Sequence, residues 1–255
     1  MLESNQIHTI GISAILACYA HLAGTYYMEK LNEILMEPIT MLVTSCDRLD
    51  LLERTLSSFF ALNTYPLDEI ILHEDSGKNN LDKVVSILRR VCPKELPMKV
   101  LISEKRGLSG ALDELFYMAK TEYVFTCEDD GLFEGNPDFM LESLKLLKAL
   151  PSVHQVWVRN KTDHGHPLLD IRIRDGVKYR PVKPGYGGNW CGFSWNPGLR
   201  RKSDWRKMFP YGFQEYGDEI LCNAAAMAKG YSAVSLVNTA CRHIGYGRHT
   251  NGFVL

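Results

Sequence analysis

Seven cysteines are scattered through the 255 residues without a single C-x-x-C pair, and their count is odd. That excludes a disulfide framework and the usual zinc sites, and it suits a reducing compartment. Neither sign of charge is in excess: 29 Lys plus Arg stand against 30 Asp plus Glu. A protein holding nucleic acid by bulk electrostatics is excluded, and no nucleic-acid partner is expected. Long apolar runs are missing too. The most apolar N-terminal stretch, residues 10–23, is interrupted by Ser13, Tyr19 and His21, whereas a membrane span needs about 20 apolar residues. The opening Met-Leu-Glu-Ser-Asn-Gln has no Lys or Arg, so it lacks the basic start of a signal peptide. The expected location is the cytoplasm, free or membrane-associated. No internal repeat or low-complexity linker is present.

What is there is regular. An amphipathic helical extension is expected over residues 1–38, packing through residues 10–35 on the domain, on another copy or on a membrane surface. Ile39–Ser45, Glu69–His73, Met98–Ser103 and Tyr123–Cys127 read as strands. Helical patterns follow each: Asp50-Leu-Leu-Glu53 as a capping box, apolar spacing from Leu81 to Leu88, Ser109 as a cap, and Asn136-Pro137 as cap and first-turn proline. Four strand–helix units predict a mostly parallel central sheet with helices on its faces, an α/β fold. The first turn reads Ser45-Cys-Asp-Arg48, not G-x-G-x-x-G, which disfavours a dinucleotide-binding dehydrogenase.

The second half changes style. Val153–Val158 reads as a strand. Asp175-Gly176 between two alternating runs, Asp170–Arg174 and Val177–Val182, predicts a small antiparallel hairpin. Helices are expected over 198–207 and 217–229, and a last strand over Ser232–Val237. One domain, 39–255, is expected, with a donor-binding half (39–135) and an acceptor-binding half (136–255).

The strand ends carry the chemistry. Tyr123-Val-Phe-Thr-Cys-Glu-Asp-Asp-Gly131 stops at three adjacent acids, Glu128, Asp129 and Asp130. Adjacent carboxylates repel, and they suit a hard divalent cation, Mn²⁺ or Mg²⁺, which takes oxygen ligands and a substrate's phosphates. Read alone, they also make an ordinary solvated turn. Asp47-Arg48 and Glu74-Asp75 end two further strands. Ends of parallel strands share one edge, so all three groups can line one crevice. There an acid would meet base and ribose, and an arginine would answer phosphate with its fork of donors.

Thr44-Ser-Cys-Asp-Arg48, His73-Glu-Asp-Ser-Gly77 and Cys127-Glu-Asp-Asp-Gly131 resemble the nucleotide-sugar motifs of GT-A-fold (Rossmann-like) glycosyltransferases. The acid triplet followed by Asn136-Pro-Asp-Phe139 is similar to N-acetylglucosaminyltransferase I and its relatives, and the general layout to family 2 glycosyltransferases. The resemblance spans roughly residues 39 to 253 in short motifs. It implies that Asp47 and Arg48 sit near the nucleotide and that Asp75 contacts the base. It places Glu128 and Asp129 on ribose or metal-bound water and makes Asp130 the direct metal ligand. The polar, glycine-rich Arg242–His249 resembles a segment that folds over the donor: His243 or His249 would meet pyrophosphate or metal, and Arg248 phosphate. Family 2 enzymes carry a Glu-Asp pair about a dozen residues before a helix-ending glycine. Asp218-Glu219 stands at that spacing before Gly230 with the order reversed; Glu219 is favoured by spacing as the base for the acceptor hydroxyl, with Asp218 a close second. Acids in a helix's first turn also simply complement its dipole. In Gly187–Trp195, Trp190 and Trp195 are candidates to stack on sugar, with Asn189 beside them, or to be buried in the core.

The implied activity is metal-dependent, inverting transfer of a hexosyl or N-acetylhexosaminyl group from a nucleotide-diphospho-sugar, a UDP-sugar first, to a glycan, lipid or protein acceptor. The rivals are a sugar-phosphate nucleotidyltransferase and a non-catalytic binding module on the same fold.

Overall fold

A computed structural model describes residues 36–185 and 188–248. The expected helix over 10–35 and the candidate His249 lie outside the described residues. Chain contacts divide Met1–Glu37 from Pro38–Leu255. Among the described residues no helix is long and apolar enough to cross a membrane, and all six described cysteines are free.

The core is a nine-stranded sheet. Its first four strands, β1 (Ile39–Ser45), β2 (Glu69–Glu74), β3 (Met98–Ile102) and β4 (Tyr123–Glu128), pair in parallel in the order β3-β2-β1-β4. Every residue of β1 is buried, as a central parallel strand covered on both faces requires. Ile39, Met41 and Val43 face one core, with α1 (Leu49–Leu62), α2 (Leu81–Val91) and α4 (Phe139–Ala149). Leu42 faces the other, with α3 (Leu108–Met118). From β1 the chain first builds outward to β2 and β3, then crosses to β4 on the far side. That reversal, between β1 and β4, opens a ligand crevice at the strands' carboxyl ends.

The sheet continues through β9 (Gly198–Arg201), β6 (Val153–Trp157), β10 (Ser232–Leu236), β8 (Val177–Pro181) and β7 (Arg172–Arg174). A single helical turn, α5 (Lys161–His164), follows β6. The β7–β8 hairpin turns at Asp175-Gly176 as expected. The sheet as a whole is mixed, because β9 and β8 run against their neighbours. The expected helix over 198–207 is in fact β9 followed by α6 (Lys202–Met208). Gly198 explains the strand. A Cβ there would lie 2.4 Å from the Val156 carbonyl oxygen, so only glycine lets this segment slot between β4 and β6. Pairing on both edges overrides local preference.

Three expected caps also differ. α1 starts at Leu49 with no side-chain cap. α3 starts at Leu108, leaving Ser109 inside its first turn. Asn136 instead accepts a hydrogen bond from the Asp138 N–H (3.0 Å), and α4 begins at Phe139. A two-stranded antiparallel sheet was not foreseen: β5 (Gly131–Phe133) pairs with β11 (Cys241–His243), setting His243 opposite Gly131. It ties the C-terminal segment to the acid triplet.

Candidate active site

The turn after β1 places Asp47 in the left-handed region, at φ 55°. Its N–H donates to Glu74 (3.0 Å) and its carboxylate accepts from Asn80 (3.0 Å). This turn aims Arg48 across the crevice at the end of β4. Its guanidinium forms a fork on Asp129, with Nε to Oδ2 at 3.2 Å and a shorter contact to Oδ1. It also meets Asp130 Oδ2 at 2.8 Å. Asp129 is 0 % exposed, and the Thr55 hydroxyl donates to its backbone carbonyl at 2.7 Å. Burial pushes the Asp129 carboxyl up, to about 6, against the pull of Arg48. Burial, then Asp130 and Asp129, push Glu128 up to about 8. The triplet therefore divides: Asp129 is locked to Arg48, Glu128 faces the crevice as a reluctant anion, and Asp130 is shared.

Asp130 Oδ2 also lies 3.2 Å from His243 Nε2. The backbone of β11 brings that ring in, and Asp163 fixes the strand by accepting from the His243 N–H, the Tyr246 hydroxyl and Arg159 Nε. Burial opposes ionisation of Asp163, but those donors outweigh it and hold the carboxyl down at about 2. Arg248 forks onto Asp50 at 2.6 and 2.9 Å, and its carbonyl accepts from Arg48. The structure thus places Arg248 at the crevice rim on a partner of its own.

Asp75 lies at the far wall. Ser103 and the N–H groups of Arg106 and Gly107 (both 2.7 Å) all donate to it. Burial disfavours its charge, yet these bonds prevail and keep it below the usual carboxylate range. The crevice between these groups holds about 560 Å³ and is lined by Arg48, Asp75, Glu128, Asp130, Arg159 and His243, among others.

Among the described residues no three His, Cys, Asp or Glu side chains converge as a metal cluster. Asp130 and His243 nonetheless form a pair of suitable donors, and His243 Nδ1 is buried without a partner. Two protein ligands on the wall of this crevice fit Mn²⁺ or Mg²⁺, which commonly complete their shells with substrate phosphates and water.

On the other side, Asp218 is exposed and caps α7 (Glu219–Ala228) by accepting from the Leu221 N–H at 2.8 Å. Glu219 turns inward. Burial raises its carboxyl, while the Ser194 hydroxyl, Arg200 and the Trp195 N–H oppose that rise. Its charge is felt at Glu128. Trp195 packs edge-on against Phe193 and Phe213 at 4.8 and 5.1 Å. Trp190 stacks on His166 at 4.7 Å, and Asn189 is exposed. The structure brings Arg48, Asp75, Glu128, Asp130 and His243 together around the crevice, with Asp129 held on Arg48 and Asp47 turned to Asn80, sets Glu219 near Glu128, and leaves Trp190 in a separate cluster around Trp157.

Sequence reasoning missed the residues that build this wall. Gln155, 0 % exposed on β6, donates to the carbonyls of Ser194 (3.1 Å) and Asn196 (3.0 Å). Asn223, on α7, accepts from the N–H groups of Cys191 and Phe193 and donates to the Phe193 carbonyl. Buried Arg200 donates to Thr126 and the Ser194 carbonyl and lies 5.1 Å from the centre of the Phe193 ring. Burial pulls its guanidinium down to about 9, still charged at neutral pH. Polar residues inside apolar patterns were the available signal.

Comparison with known proteins agrees with this geometry. The pattern of glycosyl transferase family 2 matches residues 40–208. Among solved structures, mannosyltransferase PcManGT from Pyrobaculum calidifontis, in complex with GDP-Man and Mn²⁺, superposes with TM-score 0.58 at 19% identity, over 92% of this chain and 68% of that one. S. aureus TarS 1-349 in complex with UDP-GlcNAc gives 0.59 at 13%, over 85% and 62%. A longer form of S. aureus TarS gives 0.59 at 13%, over 81% and 36%. The chain thus spans about two thirds or less of these proteins, and at such identities what is shared is the fold. No curated protein matches the chain.

Proposed function

The chain belongs to glycosyl transferase family 2, and we propose that it transfers a hexosyl or N-acetylhexosaminyl group from a nucleotide-diphospho-sugar to an acceptor hydroxyl, with inversion. One observation carries this reading: the corner where Arg48 and His243 meet Asp130 lies in the same crevice that Glu128 lines, near the inward-turned Glu219. The nucleoside would lie toward Asp75, whose Oδ2 keeps capacity for a second donor. Arg48 would turn its fork of donors from Asp129 and Asp130 to the diphosphate. Asp130 and His243 would hold Mn²⁺ or Mg²⁺, which supplies Lewis-acid neutralisation of the diphosphate's charge. Glu219 would accept the acceptor's proton as its oxygen bonds to the anomeric carbon and the bond to the diphosphate breaks. Asp218 is excluded from that role in this reading because its carboxylate caps α7. A positioned base contributes about 10²–10⁴-fold. Residues 39–135 would serve the donor and 136–255 the acceptor.

UDP and GDP are the first nucleotides to try, since structural neighbours were solved with GDP-Man and UDP-GlcNAc. The test is donor hydrolysis with UDP-GlcNAc, UDP-Glc and GDP-Man, in Mn²⁺ and in EDTA, by wild type, Asp130→Ala and Glu219→Gln. Metal-dependent release of one nucleoside diphosphate, lost in Asp130→Ala, is expected. Pyrophosphate made from a nucleoside triphosphate and a sugar phosphate would replace this reading with nucleotidyl transfer. Silence, with no nucleotide-dependent thermal shift, would replace it with a non-catalytic module.

A further inference from the structure

The last strand of the nine-stranded sheet is β7, at the opposite end from β3 and well removed from the acid triplet on β4. Its sequence runs Ile171-Arg-Ile-Arg174, and all four residues are exposed. Ile171 and Ile173 show 47 % and 64 % of their surface. Side chains alternate along a strand, and the register with β8 fixes the side each one takes. Arg172 stands opposite Tyr179 and Arg174 opposite Val177, both buried in the main core. Ile173 stands opposite the exposed Lys178, on the other face. The alternation is therefore inverted: the arginines take the core side and the isoleucines face solvent. A register set by burial alone would do the reverse.

Charge gathers at the same place. Residues 170–183 hold five Lys and Arg against two Asp, in a chain whose net charge is −1. Among the described residues, only Arg174 of these five meets a carboxylate, Asp175 at 3.8 Å, and both partners are more than half exposed. Such a pair binds weakly. Arg180 donates to the Leu169 carbonyl at 3.2 Å. Arg172, Lys178 and Lys183 stand exposed. Isoleucines among unpaired cations fit an anionic partner that also takes up aliphatic side chains. A second copy of this chain does not fit, because antiparallel pairing of β7 with itself about Ile173 sets Arg172 against Arg174 twice. A folded acidic protein needs a complementary patch of about 800 Å², and β7 offers three residues at the sheet's edge. A lipid surface demands no matching shape. Its phosphates take the cations, and its headgroup–acyl boundary takes the isoleucines.

We propose that the β7–β8 hairpin is a docking surface for an anionic membrane. Ile171 and Ile173 enter the headgroup–acyl boundary, and Arg172, Arg174, Lys178 and Lys183 meet lipid phosphates. The long stems of the two arginines let them reach the same surface from the other face of the strand. The inference does not depend on the reading of the crevice, and it uses none of its residues.

The test is sedimentation of the whole chain with vesicles of phosphatidylcholine alone and of phosphatidylcholine mixed equally with phosphatidylglycerol. Wild type should bind the mixed vesicles far more tightly than the neutral ones, and added salt should weaken that binding. Arg172→Gln, Arg174→Gln and Lys178→Gln together should weaken it by about 10²-fold, at about fivefold for each charge lost, and flatten its salt dependence. Ile171→Ser with Ile173→Ser should weaken it by about tenfold and leave the salt dependence in place. Every substituted side chain is exposed, so melting temperatures should match wild type. Absence of binding to the mixed vesicles, or equal binding to both kinds, overturns the inference. So does wild-type binding in both variants, which would give the membrane contact to another part of the chain, since residues 1–38 are unchanged in them. Retention on polyglutamate without binding to vesicles also overturns it and makes an acidic protein the partner.

Discussion

Glu128→Gln should make the ligand-free protein more stable at pH 8 than wild type. Glu128 titrates near its ordinary value of about 4.3 when unfolded and at about 8 when folded, because burial and the neighbouring Asp130 and Asp129 disfavour its charge. Between those values the folded state holds a proton that the unfolded state has released. The contribution of Glu128 to stability is therefore highest in acid and declines as pH rises toward 8. Asp129, shifted to about 6, contributes to the same decline at lower pH. The buried His154 and the half-buried His164 and His166, whose folded values are depressed, act in the opposite direction as pH rises through their unfolded value of about 6.5. The difference between wild type and Glu128→Gln isolates Glu128. Two pH units correspond to about 3 kcal/mol, and solvent at the crevice reduces that to about half. For a chain of this size, about 1.5 kcal/mol is about 3–6 °C in Tm. In thermal melts in EDTA at pH 6, 7 and 8 the advantage of Glu128→Gln over wild type should widen as pH rises. An advantage that stays constant with pH would refute the claim that crevice burial strains this carboxylate.

Three further outcomes are expected. Asp218→Ala should cost about 1 kcal/mol of stability through loss of the α7 cap while leaving kcat within a few-fold, and Glu219→Gln should lower kcat by about 10²–10⁴-fold with little change in Tm; single-turnover assays and melts separate the two. Asn223→Ala orphans the buried N–H groups of Cys191 and Phe193 and should cost about 3 kcal/mol, read by urea denaturation. A Cβ at Gly245 would lie 2.3 Å from Asp130 Oδ2, so Gly245→Ala should abolish the Mn²⁺-dependent thermal shift while the pH-dependent melt in EDTA remains.

The first half of the domain was legible because its signals are local. Each buried strand is a continuous apolar run, and each ends in a polar pair that parallel pairing must deliver to one edge. Ser45-Cys-Asp-Arg48 and the acid triplet could therefore be placed in one crevice before any coordinates. What could not be read was how they use one another there. Arg48 and Asp129 are 81 residues apart, and nothing local says that the arginine forks onto the second acid and reaches the third. Nor does the pattern of Gly131–Phe133 or Cys241–His243 declare a strand. Each is three residues long and exists only because the other is present.

The second half was hard to read for a related reason, and β9 shows it best. Local preference makes residues 198–207 a helix. In the fold the first four of them are strand because β4 and β6, neither adjacent to β9 in sequence, leave a gap one strand wide. A strand inserted there runs antiparallel, so it presents its beginning, not its end, at the crevice. That single reversal brings Ser194, Trp195 and Asn196 to the ligand edge and buries Arg200 beneath them. Glu219 acquires its surroundings from these residues, whereas spacing could prefer it to Asp218 only narrowly. Their environments separate once β9 is in place, where one acid caps a helix in solvent and the other is drawn inward. On the proposed reading, sheet topology specifies the base more than its own motif does. Exchanging the two acids, Asp218→Glu with Glu219→Asp, should then lower kcat sharply although the motif becomes the family's Glu-Asp, because a side chain one methylene shorter draws back from the acceptor hydroxyl. Activity at the wild-type level in the exchanged protein would show that the motif, not the wall, selects the base.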